Sequence, residues 1–353
     1  MTAFGSARET RVGIDGDGFT INGTPTYEGT RFEGRSVEGL LLNARMVQAL
    51  FDDENPDTVD RWAYPDTGEW DPDRNVSEFV DALPEYRDRG LRAVTINLQC
   101  GNPNGYSPEH PQVVSAYEAD GSLKDAWLDR LERVLDAADE VGMVVVLGLF
   151  YQGQDDRLRD DDAVVAGVEN VVDWLLDREY TNVLVEINNE CDARPGDGWG
   201  YERDVLKPGR VHELIGLVQG RERGGFSYPA STSFTGGTVP SDNVVAAADF
   251  ALLHGNGVSD PWRIAGMVED TRNRPSFTEM PVVFNEDDHY DFRSHPNNML
   301  VALSRGASWG FYDAGRNNYR DGYQSPPVEW GINTDRKRAF FEYVEYVVDG
   351  SPG

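Results

Sequence analysis

Two hydrophobic periods take turns along the chain. Short apolar runs such as "LRAVTINLQ", "MVVVLGLFYQ", "NVLVEINNE", "DFALLHGNG" and "MPVVFNEDD" read as strands. "MVVVLGLFYQ" is apolar at almost every position, as a strand covered on both faces requires. Between the runs lie stretches with helical spacing. In "LKDAWLDRLERVLDAADEVG", Trp127, Leu128, Leu131, Val134, Leu135 and Ala138 share one face. "SEFVDALPEYRDRG", "AVVAGVENVVDWLLDRE", "GRVHELIGLVQGRER", "PWRIAGMVEDTRNR" and "HPNNMLVALSRG" are further helices, and "DRKRAFFEYVEYVVDG" ends the series.

Two more strands, "YPASTSF" and "ASWGFYDAG", bring the barrel-type runs that follow the first to seven. The segment "TYEGTRF" supplies the first. Before it, "GFTINGTPTYEG" predicts a hairpin turning at Asn22-Gly23, a floor over residues 10–26. After it, a long loop runs from about Glu33 to Arg74, in which "VEGLLLNARMVQALF" is either a helix or an apolar lid. Eight strands alternating with helices predict one α/β domain over residues 1–353, a (β/α)8 barrel. An open doubly wound sheet would favour a Gly-rich phosphate loop after the first strand, and no G-x-G-x-x-G stands there.

The strands turn polar at one end. Asn97, Gln99 and Cys100 end the second, and Tyr151 and Gln152 the third. Asn188, Asn189 and Glu190 end the fourth, and His254 and Asn256 the sixth. The seventh ends in Asn285, Glu286, Asp287 and Asp288, and the eighth carries Trp309, Tyr312 and Asp313. Barrel enzymes work at the C-terminal ends of their strands, so these residues outline a polar pocket. Two glutamates, Glu190 and Glu286, each follow an asparagine. Paired carboxyl groups in different environments are what glycoside hydrolysis needs, one as acid and one as nucleophile or base.

Here the sequence resembles a known group. "VLVEINNE" is similar to the fourth strand of the clan A glycoside hydrolases, especially the cellulase-like family 5 enzymes. "MPVVFNEDD" resembles their seventh strand, "FTINGTPTYEG" their N-terminal hairpin and "SWGFYD" their eighth strand. The resemblance implies a retaining glycosidase with Glu190 as acid/base and Glu286 as nucleophile. It implies Asn189 as a partner of the sugar 2-hydroxyl and Glu186 as a buried structural carboxylate. Four positions depart from the family. Its strand-two arginine falls at Thr95, its histidine after strand three is replaced by Phe150, Tyr151 and Gln152, its tyrosine by Asn256, and its platform tryptophan by Tyr312. The departures lie where a sugar is chosen, so the mechanism carries over better than the substrate.

Other residues join the pocket as expectations. His254 either binds sugar or Glu286, or is a structural histidine. Arg31, at the end of the first strand, fixes a ligand hydroxyl or carboxylate, or pairs with Asp52 or Asp53. Trp199 is the candidate for stacking on a sugar face, while Trp62, Tyr64, Trp70 and Tyr201 pack loops. "NEDDHYD" offers metal-ligand types, but no H-x-H follows the first strand; a solvated loop is expected there, and no metal or other cofactor. Cys100 and Cys191 are expected as buried free thiols. Two alternatives stay open: a carbohydrate-binding protein without turnover, and a metal-dependent barrel hydrolase.

Charge narrows the partners. The chain has 62 acidic residues, three lysines and 29 arginines, for a net charge of −30. This argues against nucleic acid and an anionic membrane as partners; the partner expected from the pocket and the resemblance is an oligosaccharide or glycoside. The balance resembles proteins of salt-loving archaea, in whose concentrated salt the self-repulsion is screened. With no hydrophobic leader, a cytoplasmic protein in a high-salt cytosol is expected.

Overall fold

A computed structural model describes residues 4–5, 7–104, 109–194, 200–313 and 322–349. The N-terminus forms an antiparallel sheet of β1 (Val12–Asp15), β2 (Gly18–Ile21) and β3 (Thr24–Pro25). Asn22 and Gly23 turn β2 into β3 with φ of +56° and +77°, the left-handed pair a two-residue hairpin needs. Val12 and Phe19 of this sheet pack with Val144, Val146, Leu184, Leu252 and Val283. Those five lie on barrel strands, so the sheet closes the lower end of the barrel.

Eight parallel strands follow: β6 (Asn43–Arg45), β7 (Ala93–Asn97), β8 (Val144–Phe150), β9 (Val183–Asn188), β10 (Ala230–Ser231), β11 (Ala251–His254), β12 (Val282–Glu286) and β13 (Gly310–Phe311). β10, β9, β8, β7, β6 and β13 pair in that order, and β11 pairs with β12. Bridges Val283–Ser308 and Asp287–Phe311 join β12 to β13. Helices α1 (Pro72–Asp88), α2 (Asp125–Glu140), α3 (Asp161–Asp177), α4 (Val211–Gly220), α5 (Asp242–Ala247), α6 (Pro261–Arg272), α7 (Asn298–Ser304) and α8 (Asp335–Asp349) lie between and after them. The expected (β/α)8 barrel is the fold. Asp71, Asp160, Asp260 and Asn297 cap α1, α3, α6 and α7 by accepting backbone N–H groups, which fixes where each helix leaves its loop. Among the described residues, no helix is long and apolar enough to cross a membrane.

The first strand is not where the sequence placed it. "TYEGTRF" forms a turn and then β4 (Arg31–Phe32), which pairs only with β5 (Arg35–Ser36). Phe32 packs edge-on against Tyr346 of α8, outside the barrel, at 4.9 Å. The true first strand, β6, lies inside "VEGLLLNARMVQALF", which is neither helix nor lid. Its backbone bonds neighbours on both sides, Asn43 N–H donating to Trp309 O and Met46 N–H to Thr95 O.

Strand register stacks polar side chains inside the barrel. Asn97 aligns with Gly148, Gly148 with Glu186, and Glu186 with Ser231; Asn43 aligns with Gly310. The two glycines make room for the amides. A Cβ on Gly148 would lie 2.3 Å from Asn97 Oδ1, and one on Gly310 2.1 Å from Asn43 Oδ1.

Candidate active site

Six side chains from five strands close a ring at the C-terminal mouth. Arg45, the last residue of β6, places Nε 2.6 Å from Glu286 Oε2 and donates from Nη2 to Asn189 Oδ1 at 2.8 Å. Asn189 donates to Gln152 Oε1 at 3.2 Å, and Gln152 donates to Glu190 Oε2 at 3.5 Å. His254 Nδ1 lies 3.0 Å from Glu190 Oε1 and 3.6 Å from Glu286 Oε2, which completes the circle. Asn256 donates to Glu286 Oε1 from outside it. The alternation of each strand does this work: every second residue faces the barrel axis, and the last inward residue of several strands reaches the same pocket.

The two carboxylates differ in surroundings. Glu286 is buried and held by a guanidinium and an amide. Glu190 is the more accessible, with its side chain 18% exposed, and touches an imidazole and a neutral amide. Burial works against the Arg45 charge, but Glu286 and then Glu186 outweigh it and raise its pKa. Burial also disfavours a charged His254. The Glu286 charge and the bond to Glu190 prevail and hold the imidazole above its ordinary value. Glu186 is fully buried beneath the ring, and desolvation raises its pKa against the pull of Arg45 and His254.

Other expected residues are distributed as follows. Tyr151 and Tyr312 are buried close enough to Arg45 and both carboxylates to feel their charges; burial raises both phenols. Asn97 lies lower in the barrel, opposite Gly148. Gln99 is engaged by Ser115, by the Gln154 carbonyl and by the Tyr151 N–H, so it braces loops. Asn188 donates to Leu206 O and accepts from Thr232, which also removes it from the ring. Trp309 does not line the pocket. Gly310 and Asn43 meet inside the barrel, so Trp309 points outward, packs on Phe292 and Phe340, and donates to Asp287. Arg31 is exposed on the β4–β5 hairpin and bonds Gly34 O. Its placement followed from the misread first strand. Trp199 lies outside the described residues. Cys100 and Cys191 are buried free thiols, both pushed up by burial.

Asp287 is not part of a solvated loop. It is fully buried, accepts from Trp309, Asn298 and the His289 N–H, and presses against Gly255, where a Cβ would meet its Oδ2 at 2.4 Å. Desolvation pushes its pKa up to about 7 from 3.8. A carboxyl raised in this way holds a proton in the folded state that the unfolded chain releases. The stability it contributes is complete below pH 3.8 and is lost as pH rises through about 7. Asp155, pushed up to about 6 by burial, acts in the same direction. Urea midpoints are expected to fall between pH 5 and pH 8, and Asp287→Asn should flatten that slope while lowering stability at every pH. An unchanged slope in the variant would assign it elsewhere.

The sequence reading missed Arg45. The arginine expected at Thr95 stands one strand earlier, aligned with Thr95 across the β6–β7 pair. A signal was present: in "LLLNARM", Asn43 and Arg45 alternate with Leu42, Ala44 and Met46, the period of a half-polar strand. It also missed that Glu190, His254 and Glu286 each bring a ligand-type atom within 4.8 Å of the others, a grouping that suits a metal ion better than "NEDDHYD" does.

No protein-family model and no curated protein matches the chain. Solved structures do. An endo-1,4-β-mannanase from Rhizomucor miehei superposes with a TM-score of 0.59 at 11% identity, over 97% of this chain and 100% of that one. A glycoside hydrolase family 5 protein from Bacteroides vulgatus gives 0.57 at 14% identity, over 94% and 73%. A family 5 mannosidase from Rhizomucor miehei gives 0.55 at 13% identity, over 97% and 99%. The fold is glycoside-hydrolase-like. At these identities the likeness is one of architecture, and the barrel fold is what these proteins and this chain have in common.

Proposed function

We propose that this clan A-type barrel hydrolyses O-glycosidic bonds by a retaining double displacement. The carrying observation is the spacing of the two carboxylates. An oxygen of Glu190 lies within 4.8 Å of one of Glu286. Retaining enzymes hold their carboxyl groups about 5–5.5 Å apart, and inverting ones about 6.5–9.5 Å. Glu286 attacks the anomeric carbon while Glu190 gives its proton to the departing oxygen, and the glycosidic bond breaks. Water then adds to the same carbon as its proton passes to Glu190, and the bond to Glu286 breaks. Arg45 serves as the counter-cation that an attacking carboxylate requires. Asn189, held by Arg45 and Gln152, is placed to meet a sugar hydroxyl.

Two other readings rest on specific observations. The Glu190–His254–Glu286 grouping favours a divalent cation and metal-assisted hydrolysis. Against it, Arg45 already pairs with Glu286 Oε2 at 2.6 Å, and its charge would repel an ion at that oxygen. The altered positions Gln152, Asn256 and Tyr312 favour sugar binding without turnover.

A panel of aryl glycosides and oligosaccharides, β-mannosides among them, separates the three. Molar KCl belongs in the buffer, because a net charge of −30 is self-repelling and salt screens it. The expected result is sugar release that EDTA leaves unchanged. Loss in EDTA restored by Zn²⁺ or Mn²⁺ would install the metal reading. Saturable binding without release would install the binding reading.

A further inference from the structure

Glu190 has a φ of +51°, in the left-handed region that an L side chain longer than Asn or Asp seldom enters. Something must hold it there, and the bond is visible. The Glu190 N–H donates to Ser233 Oγ at 2.9 Å. Ser233 Oγ donates in turn to Glu186 Oε1 at 2.6 Å, and Asn285 Nδ2 donates to Glu186 Oε2 at 3.0 Å. Ser233 also accepts the Cys191 N–H at its carbonyl, 2.9 Å away, so it grips two consecutive residues. Ser233, Glu186 and Asn285 are all fully buried.

The Glu190 N–H can only donate, so the serine oxygen accepts from it, and the serine hydroxyl keeps its own proton for Glu186 Oε1. Both Glu186 oxygens therefore face donors. The relay needs an acceptor for the serine proton at Oε1 and one for Asn285 at Oε2, and a carboxylate supplies both. Burial raises the Glu186 pKa, and Arg45 and His254 pull against it.

We propose that Ser233 and Glu186 are positioning residues for the acid/base step: they fix the Glu190 backbone, which delivers its carboxyl to His254 and to the departing oxygen. The relay ends at Asn285, beside Glu286, so one buried carboxylate ties the backbone under Glu190 to the strand that carries Glu286. The inference rests on the glycosidase reading for its chemistry, and on the Ser233–Glu186–Asn285 distances for its geometry.

The test compares wild type, Ser233→Ala, Ser233→Thr and Glu186→Gln on two glycosides of one sugar. One has a 2,4-dinitrophenol leaving group, which departs without a proton; the other has a simple alcohol, which does not. Ser233→Ala and Glu186→Gln are expected to slow the alcohol glycoside about 10- to 100-fold, the scale of a slightly misplaced catalytic group, and to spare the dinitrophenol burst. Ser233→Thr keeps the hydroxyl and restores the rate. Equal losses on both substrates, or none, would overturn the proposal. Crystal structures of wild type and Ser233→Ala decide the geometry without any activity. In the variant, Glu190 is expected to leave the left-handed region and part from His254 Nδ1; an unmoved Glu190 would overturn the relay. A wild type that cleaves no glycoside removes the glycosidase reading, and the crystal comparison then judges the tether by itself.

Discussion

Glu286→Gln is expected to lower glycoside turnover by at least about 10³-fold, the scale on which loss of one member of a catalytic unit acts. Glutamine keeps the shape and the acceptor oxygen for Asn256, but it is no nucleophile. Stability should fall modestly, by about 1–3 kcal/mol, the cost of a buried charged bond that loses its ionised partner. Arg45 keeps Asn189, and Glu186 stays near enough to feel its charge. Turnover and urea unfolding measured on the same preparation separate the two effects. Near wild-type rates from a folded variant would remove the carboxylate pair from the mechanism.

The second large effect belongs to Arg45→Met. This change removes the cation from a buried pair whose side chains are 2% and 7% exposed. Breaking a buried pair by deleting one partner costs about 3–5 kcal/mol, because the remaining charge is left uncompensated. Here Glu286 would face Glu186 with only His254 between them and the cost. Turnover should fall as well, since Asn189 loses the donor that orients it. Arg45→Lys is the informative companion. Lysine restores the charge but not the fork that reaches Glu286 and Asn189 together, so stability should recover more than activity. If both variants unfold in urea as the wild type does, the pair contributes nothing to the fold.

Much of this architecture was legible from alternation. Seven barrel strands, their order and their polar ends follow from runs such as "MVVVLGLFYQ" and "MPVVFNEDD", because burial on both faces leaves no choice of residue type. The first strand was not, because β6 is three residues long and is embedded in apolar sequence of uniform strength. Period alone did not separate it from a helix over so short a run. That single misplacement put Arg31 into the pocket and kept Arg45 out. Trp309 went astray for a related reason: strand parity, which decides inward from outward, was set by Gly310, and a glycine carries no pattern. Asp287 looked solvated because it stands among charges, yet Trp309 and Asn298 enclose it. The ring around Glu190 and Glu286 joins residues up to about two hundred and forty positions apart, and only the closed barrel brings them together.

The sheet packed under the barrel has a kinetic consequence. With Val12 and Phe19 packed under the filled barrel, the described residues open the pocket at the strand C-termini. Under the proposed reaction the first product must back out through the same opening by which water enters. An alcohol that lingers there competes with water for the sugar held on Glu286. Added alcohols are then expected to divert part of the sugar from water, and product analysis at rising acceptor concentration checks it.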